Sequence, residues 1–68
     1  MRGEEEIREA LKGQWGEDRA NAATIFKGYA SFRPSSSSKW WGWWIEENGK
    51  YFHLDTNVPR ALWAVARL

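Results

Sequence analysis

Four of the six tryptophans fall within five positions, in KWWGWWIEENGKYF, residues 39–52. Indole rings serve proteins in two ways. Each can bury on the order of 150–250 Å² in a core, and each offers a flat π surface on which an unpaired base stacks for ~1–3 kcal/mol. Trp40 and Trp44 recur with Tyr29, Tyr51 and His53 among the cations Lys27, Arg33 and Lys39. Aromatic planes interleaved with positive charge suit single-stranded nucleic acid, because the rings take the bases and the cations follow the phosphates. These eight residues form the candidate binding set.

Covalent chemistry finds less support. Glu46 and Glu47 are adjacent, so on a strand they point to opposite faces and make a poor acid–base pair. His53 and Asp55 share a strand face, but no nucleophile of clear identity accompanies them, and a serine of residues 35–38 would have to be supplied by a flexible polar connection. The glycines match no phosphate-loop pattern. With no cysteine and one histidine, neither a disulfide framework nor an ordinary zinc site is expected. The expectation is a binding protein, not an enzyme, with no metal and no cofactor.

Charge narrows the partner. Residues 1–20 carry four basic and six acidic side chains, and residues 21–68 carry six and three. A domain-wide basic field is missing, which argues against strong non-specific duplex binding, but the aromatic part is locally basic. The charged start, MRGEEEIREALKGQW, is unlike a secretory signal, and the apolar runs fall short of the ~20 residues of a membrane span. A soluble, cytoplasmic chain without membrane contact is expected.

The elements that must position the aromatic set follow from local pattern. Glu4, Glu5 and Glu6 suit a helix start, and Ile7, Ala10, Leu11 and Trp15 make an apolar stripe, giving a helix over about 4–15. The stretch EDRANAATIFKGYASFR begins helix-like and then alternates; it reads as a strand over about 24–33, the rival being a second helix reaching Lys27. PSSSS, residues 34–38, reads as a flexible link. Strands over 39–47 and 50–55 flank Asn48-Gly49, a strong signal for a two-residue hairpin turn. Asn57 or Thr56 can cap a last helix over about 58–67, with Pro59 in its first turn.

The resulting fold class is α+β: one small α-β-β-β-α domain, residues 1–68, with a three-stranded antiparallel sheet and helices packed on one face. The double-stranded-RNA-binding domain shares this order, but the basic cluster such domains carry at the last helix is here reduced to Arg60. NGKYFHLDTNVPRALWAVARL, residues 48–68, also resembles the second half of a WW domain, with Trp41 where that family has its first tryptophan. The resemblance implies a groove from Phe52 and Trp63. The sequence departs from the pattern at Thr56, Ala61 and Ala66, and neither family is assigned.

Counting outward from Asn48-Gly49 pairs Glu47 with Lys50, Glu46 with Tyr51, Ile45 with Phe52, Trp44 with His53 and Trp43 with Leu54. One face then holds Trp41, Trp43, Ile45, Phe52 and Leu54, joined by Phe26, Gly28, Ala30 and Phe32 of the first strand. This is the expected core face. The other holds Trp40, Gly42, Trp44, Glu46, Tyr51, His53 and Asp55 with Lys27, Tyr29, Ser31 and Arg33, and Gly42 leaves a gap for a base or backbone. Exposed cross-strand aromatics also stabilise small sheets without any ligand, and so apolar a patch suits a protein partner, a peptide or a homodimer. Unpaired nucleic acid is the first expectation and a protein-docking module the second.

Overall fold

In the computed structural model, which describes residues 2–33 and 35–68, six elements follow one another. They are α1 (Arg2–Trp15), α2 (Glu17–Ala22), β1 (Thr24–Ala30), β2 (Trp40–Glu47), β3 (Lys50–Asp55) and α3 (Val58–Ala66). The strands form one antiparallel sheet in the order β1-β2-β3. The α+β class and the sheet are as the sequence reading has them. The short helix α2 is additional, and it settles the ambiguous stretch: helix to Ala22, then strand from Thr24.

The helices and the sheet share one apolar core. Ile7 and Leu11 of α1, Ala61 and Val65 of α3, and Ile25, Trp43 and Ile45 of the sheet are buried together. Close approach is built in at Gly3, where a Cβ would stand 2.6 Å from the Trp43 ring, so only glycine lets α1 start flush against that indole. The cap of α3 is Asn57, whose side chain accepts the Arg60 N–H at 3.0 Å. Because residues 58–66 are helical, the WW-like spacing of residues 48–68 does not produce that family's strands.

Arg8 does more than its Glu4 ion pair (3.1 Å) suggests. Its Nη1 donates to the carbonyls of Ala20 (2.7 Å) and Ala23 (2.9 Å), groups that the end of α2 leaves without helical partners. One guanidinium thus ties α1 to the α2–β1 junction.

The hairpin register agrees with the count from Asn48-Gly49 for four pairs and departs at the fifth. Trp43 pairs with Asp55 instead of Leu54, because a bulge intervenes between Trp43 and Trp44. Asn48 (φ 50°) and Gly49 (φ 82°) supply the two positive φ values a type I′ turn needs. At the bulge, Gly42 adopts φ 153°, and a Cβ there would lie 2.7 Å from His53 Nε2 and 2.8 Å from the Asp55 carbonyl oxygen. The expected gap over Gly42 is therefore filled by the protein itself.

The first strand is turned over relative to expectation. Ile25 pairs with Ile45, Lys27 with Trp43 and Tyr29 with Trp41, so these residues share the helix-packed face. Phe26, Gly28 and Ala30 share the other with Trp44, Gly42 and Trp40. Alternation fixes which residues share a face, not which face is inward; Ala23 and Ile25 decide it by joining the core. β1 also ends at Ala30, three residues short of the expected Arg33. There the chain turns, with the Arg33 carbonyl accepting from Ser31 Oγ (2.8 Å) and from the Ser36 N–H (3.1 Å). Of the expected link 34–38, Pro34 lies outside the described residues; residues 35–38 are irregular, with the Ser38 N–H bonded to Ser36 Oγ at 3.2 Å.

Candidate nucleic-acid interface

The turn after β1 brings Phe32 across the helix-free face of the sheet and over Trp44. The two rings meet edge to face with centroids 5.3 Å apart, and His53 (4.6 Å) and Tyr51 (6.3 Å) close the other sides. Trp44 has no exposed surface and donates Nε1–H to the Trp40 carbonyl at 3.2 Å. It is the centre of a second, aromatic core and not a free stacking platform. His53 is held as well, its Nε2 lying 3.1 Å from the Trp41 carbonyl oxygen.

The exposed aromatic surface lies elsewhere. On the helix-packed face the helices leave the end of the sheet bare, and there Tyr29 and Trp41 stand 68% and 44% exposed with ring centroids 4.9 Å apart. Lys27 Nζ lies 5.9 Å from the Trp41 and Trp43 ring centroids, within the range of a cation–π contact. Around the β1 edge opens a groove of about 260 Å³ lined by Phe26, Tyr29, Ala30, Ser31, Lys39 and Tyr51. It is smaller than the ~300–1,000 Å³ typical of drug-sized ligand sites, a size for one ring or side chain. Trp40 is exposed on the far face.

The eight expected residues are thus divided. Tyr29, Lys39 and Tyr51 meet at the groove. Lys27 joins them from the helix-packed face through Trp41, a residue expected in the core. Trp40 and Arg33 are exposed, while Trp44 and His53 serve packing. Phe26 escapes the sequence reading because its face depends on the β1–β2 register, which no two-residue turn fixes; Trp41 lies on the face expected for it, but beyond the part the helices cover, and is 44% exposed.

Among the described residues no three or more His, Asp or Glu side chains gather to hold a metal ion, and no helix is long and apolar enough to cross a membrane. Compared with known families, with curated proteins and with solved structures, the chain finds no match.

Proposed function

We propose that the protein is a non-enzymatic, cytoplasmic binder of unpaired nucleic acid, with the β1 end of the sheet as its contact surface. The observation that carries this reading is the Tyr29–Trp41 pair under Lys27, beside a ring-sized groove walled by Tyr51 and Lys39. Rigid, exposed rings offer bases a π surface at little entropic cost, and lysines at their rim match the phosphate spacing loosely, without base readout. Few cations are available, so affinity should be modest and should fade with salt.

The test is titration of the protein with short oligo-dT and oligo-rU at low and high salt, read by fluorescence anisotropy of the labelled strand. Tyr29→Ala and Trp41→Ala should each weaken binding by ~1–3 kcal/mol, and Lys27→Ala or Lys39→Ala should flatten the salt dependence by about one unit of slope or less. The same exposed rings would equally suit a protein partner or a second copy of the chain. That second reading predicts concentration-dependent association or protein capture with little salt sensitivity. Absence of binding to both oligonucleotides at low salt would exclude the nucleic-acid reading.

A further inference from the structure

On the other edge of the sheet, α3 carries an aromatic residue that the core does not use. Ala61 and Val65 turn inward, and Leu62 packs beside them. Trp63 turns outward and is 69% exposed, more than any other large apolar side chain among the described residues. Arg60 and Arg67, three residues before and four after it, lie on the same side of the helix, about 10 Å apart along its axis. With Leu54, Asp55 and Ala64 these three line a cleft of about 320 Å³. Neither guanidinium takes part in an ion pair among the described residues.

The charge pattern of this cleft selects its occupant. Two guanidiniums beside an indole favour a ligand with anionic oxygens and a flat ring. An acidic peptide would satisfy the arginines but would set its carboxylates against Asp55. Hydrogen bonds from Thr56 N–H (2.6 Å) and Thr56 Oγ1 (3.2 Å) reach only Asp55 Oδ1. They hold this carboxyl below its ordinary range, so it is a charged acceptor at neutral pH. Oδ2 keeps its lone pairs for a donor from the ligand. A nucleotide reconciles both demands: phosphates for the arginines, and an exocyclic amine for Asp55, the pairing by which a carboxylate reads cytosine.

We infer that the Arg60–Trp63–Arg67 cleft is a nucleotide subsite that prefers amine-bearing bases over thymine and uracil. The inference rests on the reading of the protein as a binder of unpaired nucleic acid and adds to it a base preference that the sheet end does not supply. The base stacks on Trp63, its amine donates to Asp55 Oδ2, and the flanking phosphates pair with Arg60 and Arg67.

Oligo-dC and oligo-dT of equal length test it, since both are pyrimidine strands and differ at the group Asp55 would read. At neutral pH and low salt the wild-type protein should bind oligo-dC roughly tenfold more tightly, the discrimination expected of one charged hydrogen bond to a base edge. Asp55→Asn, which retains an acceptor for the Thr56 N–H, should bring the ratio of the two affinities towards one. Trp63→Ala should do the same, and circular dichroism should show both variants folded. Tyr29→Ala at the sheet end should weaken both strands and leave the ratio in place. Equal wild-type affinities, or a ratio unmoved by Asp55→Asn and Trp63→Ala, would overturn the subsite while leaving the sheet-end reading intact. Binding of neither strand would overturn both, and self-association lost in Trp63→Ala would assign the cleft to a second copy instead.

Discussion

Replacing Trp44 by alanine is expected to cost nearly as much as replacing Trp43, although the two side chains lie on opposite faces of the sheet. Trp43 is packed by the helices, with Gly3 of α1 against its ring and Val58 of α3 packed against the core it belongs to. Trp44 faces away from the helices, yet it is fully buried by Phe32, His53 and Tyr51. A buried tryptophan removes ~150–250 Å² from water, which at ~25 cal/mol per Å² is about 4–6 kcal/mol. Measured truncations of buried Phe or Trp to Ala run at about 3–5 kcal/mol. At ~0.05–0.15 kcal/mol per residue, a chain of 68 residues has roughly 3–10 kcal/mol of stability in all. Trp44→Ala should therefore lower the melting temperature by more than about 12 °C, or leave no folded protein at ambient temperature.

Urea denaturation followed by far-ultraviolet circular dichroism is the assay, since six tryptophans make fluorescence hard to assign. Two companions give the result its meaning. Trp40→Ala removes an exposed ring from the same strand and should shift stability by no more than about 1 kcal/mol. Phe32→Ala removes the lid over Trp44 and should cost more than the exposure of Phe32 itself suggests, because Trp44 is then wetted. If Trp44→Ala unfolds at the wild-type midpoint, Phe32 does not seal that face, and the aromatic surface there is open to ligands after all.

Three further outcomes follow from particular contacts. Gly42→Ala should cost about 2–4 kcal/mol in urea denaturation, since its methyl group would meet His53 Nε2 and the Asp55 carbonyl at a backbone φ that L side chains rarely adopt. Arg8→Met should cost about 1.5–3 kcal/mol through lost bonds to the Ala20 and Ala23 carbonyls, and amide exchange should accelerate first around residues 20–25; Arg8→Lys should rescue only part. The third concerns pH. The Arg19 guanidinium, hydrogen-bonded to both Glu47 oxygens, holds the Glu47 carboxyl below its ordinary value near 4.5. This contribution is fully present above that value and is lost as pH falls through the lower folded value. Melting curves of wild type and Glu47→Gln should accordingly differ at neutral pH and converge in acid.

The legible part of the fold was the part set by local rules. Asn48-Gly49 fixed four cross-strand pairs because a two-residue turn leaves no freedom in register. The α1 stripe and the Asn57 cap follow equally local patterns. Faces failed where long-range contacts decide them. Residues 31–39 join β1 to β2 without a tight turn, so nothing in the sequence chose between Ile25 and Phe26 as the inward residue. The bulge at Trp43 was hidden as well, because a single glycine in a strand marks either a bulge or a ligand approach. For the candidate site, Tyr29, Lys39 and Tyr51 were found together, while Trp41 was placed in the core and Trp44 on the surface, each opposite to its position.

That exchange follows from the size of the chain. A domain this short buries only about 60% of its unfolded surface, and the helices here cover one face of the sheet and not the whole of it. The far face would be wet if left bare, so the chain folds Phe32 back to make a second small core on Trp44. The bare end of the helix-packed face has no such lid: among the described residues no element buries Tyr29 and Trp41, although Ser31 and Lys39 lie close by in the groove. The chain dries one aromatic cluster with a spare phenylalanine and leaves another open, with Lys27 at 5.9 Å from the Trp41 ring centroid, and the proposed binding surface lies where the lid is missing. The physical distinction between the two clusters is the lid, not the composition, which is why a count of aromatic residues along β2 could not separate them.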